Sequence, residues 1–361
     1  MMMLPVRLGE RSYSILVTDS YRRLPAALAP LSPSREGWVI SHPSVLRWHG
    51  RQLLQPLRAA GWRLSVMTIP ESESSKSMAM AQRIISRLTR SAAMRPPMLF
   101  AFGGGVLGDL TGFVAAIYRR GVPYIQLPTT LLAQVDSAIG GKVGVDVPQG
   151  KNLVGAFYQP RLVYNNLSVL ASLPLRQRRS GLGEVIKYGL IANRPLFEFL
   201  EAHLPDCLAL EPRALRVMVE RSCRIKARVV SQDERETEGI RVGLNFGHTI
   251  GHALEAATDY RRWTHGEAIA IGMCAAADLA VRMGCCRASD QERLARLICA
   301  AGLPTHATNV SLAAVRRALR LDKKFIHGRP RWVLPTRIGR VMVTEAVPTG
   351  LVNRVLATSL Q

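Results

Sequence analysis

Along the first half of the chain the hydrophobic residues come in short unbroken runs. YSILVT (13–18), GWVIS (37–41), LSVMTI (64–69), MLFAFG (98–103) and YIQLP (124–128) are rich in branched and aromatic side chains, and each is followed by a turn or a helical pattern. That alternation predicts a parallel sheet with helices on both faces. Beyond about Leu173-Pro174 the apolar spacing becomes three-and-four, giving long amphipathic helices such as Ala214 to Val230 and Glu267 to Met283. No comparable strand follows until WVLP (332–335) and VMVT (341–344). The pattern predicts an α/β, Rossmann-like N-terminal domain over 1–174 and a mainly α-helical C-terminal domain over 175–361.

With 361 residues and 48% hydrophobic content, the chain can bury a full core in each half. No stretch approaches the length of a membrane span, and the N-terminal residues carry charges where a signal peptide would be apolar. Six cysteines without CxxC pairing or scaffold spacing read as free thiols, which suits the cytoplasm. A net charge of +22 raises nucleic-acid binding as an alternative, but the basic residues are scattered and lack zinc-finger spacing or interleaved aromatics. The division of that charge carries more information: only seven of the 48 basic residues are lysines (76, 142, 151, 187, 226, 323 and 324). A lysine retained against this bias is a candidate for work that needs a compact point charge in place of a planar fork.

Chemistry gathers in two regions. In FAFGGGVLGDLTGF, the glycines 103, 104, 105 and 108 end an apolar strand and open a helical pattern, where backbone N–H groups and a positive dipole end can receive a phosphate. IPESESSK follows another strand and offers small polar residues with Lys76, an edge suited to ribose hydroxyls. Downstream, Thr129, Thr130, Asp136, Lys142, Asp146, Lys151 and Asn152 crowd a Gly-rich stretch that suits an anionic ligand. In the second half, SGLGEVIKYGLI puts Glu184 and Lys187 on one helical face, and LNFGHTIGHALE does the same for His248 and His252. WTHGEAIAIGM adds His265. Three of the eight histidines thus fall close together, each beside a glycine, and one carboxylate with two histidines is an open catalytic zinc-type ligand set.

GGGVLGDLTGF, RRGVPYIQLPTTLLAQVDSAIGGKVGVD and GKNLVGAF, in this order and spacing, resemble the dinucleotide- and substrate-binding blocks of the 3-dehydroquinate synthases. The three segments of the second half resemble that family as well, and the resemblance spans roughly residues 70 to 345. It implies NAD and a divalent metal, Zn or Co, in an enzyme that eliminates phosphate from a seven-carbon sugar acid and closes it into a carbocycle. The family pattern makes Glu184, His248 and His265 the metal ligands and His252 a substrate-pocket residue, against the HxxxH spacing.

The same resemblance implies dinucleotide contacts at Glu71, Ser72, Glu73, Ser74, Ser75 and Lys76, at Gly105, Val106, Leu107, Gly108 and Asp109, and at Thr129, Thr130, Asp136, Lys142 and Lys151. Val169, Leu170, Ala171 and Ser172 would border the adenosine. Substrate contacts fall on Asp136, Lys142, Asn152, Lys187, Lys226, Arg241, Asn245 and His252, on Lys323 or Lys324, and on Arg120 from across a homodimer interface. Of these, Lys142, Lys187, Lys226, Arg241, Asn245 and His252 are the expected catalytic set. Two features depart from the family pattern: Tyr164-Asn165-Asn166-Leu167 stands where an Asp followed by Thr usually borders the nucleotide, and Thr237 is an additional residue. A related cyclase acting on sedoheptulose 7-phosphate or glucose 6-phosphate is the nearest rival, from which Arg241, Asn245 and His252 separate the chain. A metal-dependent polyol dehydrogenase would not need so many phosphate-directed lysines.

Overall fold

The fold is described from a computed structural model covering residues 1–32, 34–91, 97–321, 325–326 and 329–360. The five predicted runs become β2 (Tyr13–Thr18), β3 (Glu36–Ser41), β4 (Arg63–Thr68), β5 (Met98–Gly103) and β6 (Tyr124–Pro128) of one sheet. Two strands outside the predicted runs join them: β1 (Met2–Val6) and β9 (Leu162–Asn166), giving the order β1-β2-β9-β6-β5-β3-β4. All neighbours are parallel except β1, which pairs antiparallel with β2, so the sheet is mixed at that edge. β9 escapes the pattern because its buried end is polar, Asn165 and Asn166 being wholly enclosed. A separate antiparallel hairpin, β7 (Lys142–Val147) with β8 (Gly150–Phe157), occupies the Gly-rich stretch.

Alternate residues of the central strands feed two cores. Leu99 of β5 and Trp38 and Ile40 of β3 pack on one face with α3 (Met78–Arg90) and α4 (Gly105–Ile117), through Ile84, Leu88, Leu110 and Val114. Phe100, Phe102 and Val39 pack on the other with α1 (Leu24–Leu28) and α2 (Pro43–Ala59), through Leu24, Leu28, Leu53 and Leu57. Burial on both faces is why these strands read as continuous apolar runs. From β3 the chain moves outward to β4, whereas from β5 it moves the other way to β6, so the strand order reverses between β3 and β5. In open α/β sheets that switch point, at the carboxyl ends of the strands, is where ligands bind.

The chain divides into two compact units, residues 1–173 with 226–235, and residues 174–225 with 236–361. The second unit carries α5 (Leu175–Ala192), α6 (Arg194–Ala202), α7 (Leu204–Ala209), most of α8 (Pro212–Gln232), α9 (His248–Ala257), α10 (His265–Arg282), α11 (Ala288–Ala300), α12 (Leu312–Leu321) and α13 (Thr349–Ser359). Its strands are the short β10 (Phe325–Ile326) and β11 (Arg329–Pro330) and the hairpin of β12 (Trp332–Arg337) and β13 (Arg340–Thr344). The last turns of α8 and the residues after them, 226–235, belong to the first unit, which the linear reading does not foresee. Among the described residues no helix is long and apolar enough to cross a membrane.

Candidate active site

Three helices of the second unit bring their predicted ligands together. Glu184 is fully buried in the middle of α5, and its Oε1 lies 3.4 Å from Nε2 of His248 and 3.3 Å from Nε2 of His265. Each imidazole turns its second nitrogen to a different partner. His248 Nδ1 lies 3.1 Å from the carbonyl of Phe246, and His265 Nδ1 lies 3.3 Å from Oε1 of Glu255. A carbonyl can only accept, so His248 carries its proton on Nδ1 and aims the Nε2 lone pair at the centre. One donor atom each from Glu184, His248 and His265 lie within 4.8 Å of one another, as a divalent cation requires.

The electrostatics suit a cation. Burial and the neighbouring Lys187 push His248 down to about 4, so it is a neutral ligand at physiological pH. Burial opposes the charged form of Glu184 as well, but Lys187 and the two imidazoles outweigh it and hold the carboxyl well below its ordinary range. Lys187, itself fully buried one turn along α5, forms the ion pair with Glu184 Oε2. At His265, burial is overcome by hydrogen bonds to Glu184 and Glu255, which raise its pKa to about 10. A position where two carboxylates hold a proton so firmly is one where a metal ion can replace it. The chemistry of the donor set therefore fits a Zn2+-type ion.

Local sequence explains the convergence. His265 is the first residue of α10, whose start is set by a capping box in which Thr264 and Glu267 satisfy each other's backbone N–H groups. Arg176 of α5 grips Glu267 with two hydrogen bonds of 2.9 and 2.8 Å. The helices also touch through glycine. A Cβ on Gly266 would lie 2.0 Å from the carbonyl oxygen of Ser180, and one on Gly272 would lie 1.9 Å from that of Gly247. Only hydrogen in those places lets α10 approach α5 and the start of α9 closely enough for the three ligands to meet.

Of the other expected residues of this unit, His252 stands beside the ligands. The His252 ring stands 5.2 Å from that of His248 and 6.0 Å from that of His265. It also belongs to an outer group with Glu255 and His265 that has metal-ligand spacing. Arg241 is buried and Asn245 partly so, both within the short 3-10 turn Arg241–Asn245 before α9. Lys323 and Lys324 lie outside the described residues. Glu255 and the Phe246 carbonyl were not anticipated. For Glu255 a signal existed, since it continues the α9 face of His248 and His252 at the i+7 position.

Within the first unit, Gly103 closes β5 and Gly105 opens α4 at the switch point. A Cβ on Gly104 would come within 3.1 Å of Thr130 Cγ2, and one on Gly105 within 3.1 Å of Ser137 Oγ. The amide of Thr129 donates to the Gly103 carbonyl at 3.0 Å, tying the β6 turn to this one. Two residues not anticipated, Ser41 and His42 at the end of β3, brace it further by hydrogen bonds to Phe102 O (2.7 Å) and Ile69 O (3.1 Å). Lys76 donates to Asp109 Oδ2 and to Asn152 Oδ1, each at 2.5 Å, and Asn152 holds a left-handed φ of 54° while its amide meets Asp146. Burial raises the Asp109 carboxyl above its ordinary value although Lys76 pulls it down. Lys151 pairs with Glu73 at 2.7 Å, and Lys226 donates to both the carbonyl and the carboxylate of Asp136, each at 2.7 Å.

Glu71, Ser72, Glu73 and Ser74 are exposed on the loop after β4, and Ser75 is buried by its bond to Pro70 O. Lys142 is exposed at the start of β7, and Arg120 is exposed in a left-handed turn, φ 64°. Gly108 faces Gln126, and Val106 is half-buried. Leu107 and Val169 belong to the cores and Leu170 is equally enclosed, so their side chains present nothing to a nucleotide and any contact there is through backbone. Ala171 and Ser172 are exposed, the Ser172 hydroxyl being bound to Val169 O and His49.

Comparison with known proteins falls in line with this arrangement. The family model described as 3-dehydroquinate synthase N-terminal matches residues 66–180, and that described as 3-dehydroquinate synthase C-terminal matches residues 181–325. A 3-dehydroquinate synthase of Picosynechococcus sp. is 44% identical over 359 residues, 98% of this chain and 98% of its own. One from Pelotomaculum thermopropionicum is 46% identical over 345 residues, 95% and 92% of the two chains. Among solved structures, a 2-epi-5-epi-valiolone synthase of Streptomyces hygroscopicus, with NAD+ and Zn2+ bound, superposes with a TM-score of 0.88 at 28% identity, covering 97% of each chain.

Proposed function

The chain belongs to the 3-dehydroquinate synthase family, and from that premise we propose that it converts 3-deoxy-D-arabino-heptulosonate 7-phosphate to 3-dehydroquinate and phosphate, a carbon–oxygen lyase step of the shikimate pathway. The observation that carries the reading is the meeting of Glu184 with the Nε2 atoms of His248 and His265, a three-ligand set that leaves positions for substrate oxygens. When bound, a Zn2+ or Co2+ ion on these residues supplies a Lewis acid for a substrate hydroxyl, and NAD on the Gly103–Gly105 turn supplies reversible hydride removal from the C5 carbon. The valiolone synthase with both groups bound supports that pairing.

The chain's own residues prepare the site. Lys187 keeps Glu184 ionised in a buried position, where an unpaired carboxyl would otherwise take up a proton. Lys226, held by two hydrogen bonds to Asp136, presents its ammonium at a defined point for an anion, and Lys142 and Asn152 add to the same anionic preference. Arg241, Asn245 and His252 are read as the residues that select the sugar acid over sugar phosphates without a carboxylate. No carboxylate base is asked of the chain for the C6 proton, because the departing phosphate can take it on its own oxygen. A fixed substrate conformation makes the final aldol effectively unimolecular. A cytoplasmic homodimer, with Arg120 reaching the other protomer's substrate, completes the reading.

The test is direct. Purified protein with NAD and Zn2+ or Co2+ is given the heptulosonate phosphate, sedoheptulose 7-phosphate or glucose 6-phosphate, and phosphate release and the carbocyclic product are followed. Release from the first alone, with 3-dehydroquinate as product, is expected. Release only from either of the others moves the protein to a related cyclase, and a monomer in sedimentation velocity removes the role given to Arg120.

A further inference from the structure

We propose that Glu255 is a positioning residue of the metal centre: its carboxylate accepts the Nδ1–H of His265 and so fixes the ring with Nε2 turned to the cation. The inference deepens the reading that the ion sits on Glu184, His248 and His265, and rests on it.

Three observations lead to it. First, the two nitrogens of His265 face two different carboxylates at the same distance, Nε2 to Glu184 Oε1 and Nδ1 to Glu255 Oε1, each at 3.3 Å. A neutral imidazole has one donor and one acceptor nitrogen, so one carboxylate receives the proton and the other shares the metal. Second, His248 already resolves which is which. Its Nδ1 is turned to the Phe246 carbonyl and its Nε2 lies 3.4 Å from Glu184 Oε1, so the lone pair of His248 converges on Glu184 and not on Glu255. His265 joins that centre only through Nε2, which leaves Nδ1–H for Glu255. Third, Glu255 is itself buried and stands two turns beyond His248 on α9, so one helix supplies a ligand and the support for a ligand from α10. A carboxylate behind a metal-bound imidazole sets ring orientation and raises ligand basicity, and its loss weakens metal binding about 10–100-fold.

The spacing of His252, Glu255 and His265 offers a competing picture, in which these three hold the ion themselves. The two pictures separate by experiment. Metal-stripped Glu255→Ala, Glu255→Gln, His252→Ala and Glu184→Gln proteins are titrated with Zn2+ against a chelating indicator, and the visible spectra of the Co2+ forms are recorded. Glu184→Gln is expected to lose binding almost entirely. Glu255→Ala is expected to weaken it toward the hundredfold end of that range with a shifted Co2+ band, and Glu255→Gln, which still offers an acceptor oxygen, by about tenfold. Wild-type affinity and an unchanged Co2+ band in both Glu255 variants, with Glu184→Gln impaired, overturn the positioning role and leave the metal reading standing. Full affinity in Glu184→Gln, with binding abolished in His252→Ala and Glu255→Ala, puts the ion in the outer group and defeats both. Should the Ala variant fail to fold, 15N spectra of the Zn2+-loaded native protein decide the point: a protonated Nδ1 on His265 supports the proposal, and a metal-bound Nδ1 overturns it.

Discussion

Single side chains show why the scarcity of lysine matters. Lys76, Lys151, Lys187 and Lys226 each meet a carboxylate, of Asp109, Glu73, Glu184 and Asp136 respectively, and all but Lys151 are largely buried. Lys76 is the most instructive, being largely buried and bound at once to Asp109 and Asn152. Replacing it with methionine strands Asp109 in a site whose burial already disfavours the charge. Lys76→Met is expected to cost about 3 kcal/mol in urea unfolding, and Lys76→Met with Asp109→Leu to recover part of that, since breaking a buried pair is worse than replacing it. Equal losses in the single and double variants would show that the pair does not behave as a unit. Lysine identity was visible in the sequence, but the partners were not, because Asp109 and Asn152 stand 33 and 76 residues from Lys76.

At the scale of elements, the metal centre depends on how closely α10 meets its neighbours. Gly266→Ala would set a Cβ 2.0 Å from Ser180 O, a backbone atom that cannot swing aside. Its expected cost is at least about 1–3 kcal/mol, as for overpacked cores, with a loss of Zn2+ affinity that direct titration would reveal. Thr264→Ala removes the side chain that accepts from Glu267 N and so opens the capping box at the end where His265 stands. It is expected to lower stability by about 1 kcal/mol, read by thermal unfolding of the metal-free protein. Unaltered unfolding in either variant would contradict the account of α10. The long helices were legible because their apolar faces repeat every three or four residues. The β7–β8 hairpin was not, because β8 buries none of its residues fully and its apolar residues do not alternate, and β9 was hidden by its buried asparagines.

At the scale of the whole molecule, residues 226–235 return to the first unit after most of α8 has been built into the second. Glu234 fastens that segment, receiving two hydrogen bonds from Arg11 and one from Gln159. Its pKa is lowered, chiefly by the bond from Arg11, from an ordinary value of 4.5. A carboxyl with a depressed folded pKa contributes stability that is fully present above 4.5 and is lost as pH falls through the folded value. Denaturant midpoints of the native protein and Glu234→Gln should therefore differ at pH 7 and converge in acid, and a gap that persists in acid would discount the ion pair. The +22 charge belongs to the same scale: with arginine spread over the surface it favours anionic ligands in general, without choosing among them.

The choice of Glu184, His248 and His265 over the HxxxH pair came from the family resemblance, whereas local chemistry along the chain was enough to mark the alternating strands and helices of the first half, the helical second half and the glycine turn after β5. Each of these depends on residues within a few positions of one another, which is the range over which periodicity, capping and turn preferences act. Tertiary structure alone settled which nitrogen of each histidine faces inward, that Glu184 and His265 meet across 81 residues, and that Glu255 stands behind His265. It also returned 226–235 to the first unit, so that Lys226 meets Asp136. The reason is directional: a hydrogen bond or metal bond needs a particular atom aimed within a few tenths of an ångström. That aim is set by helix packing at Gly266 and Gly272, where the deciding contact is made by a distant backbone.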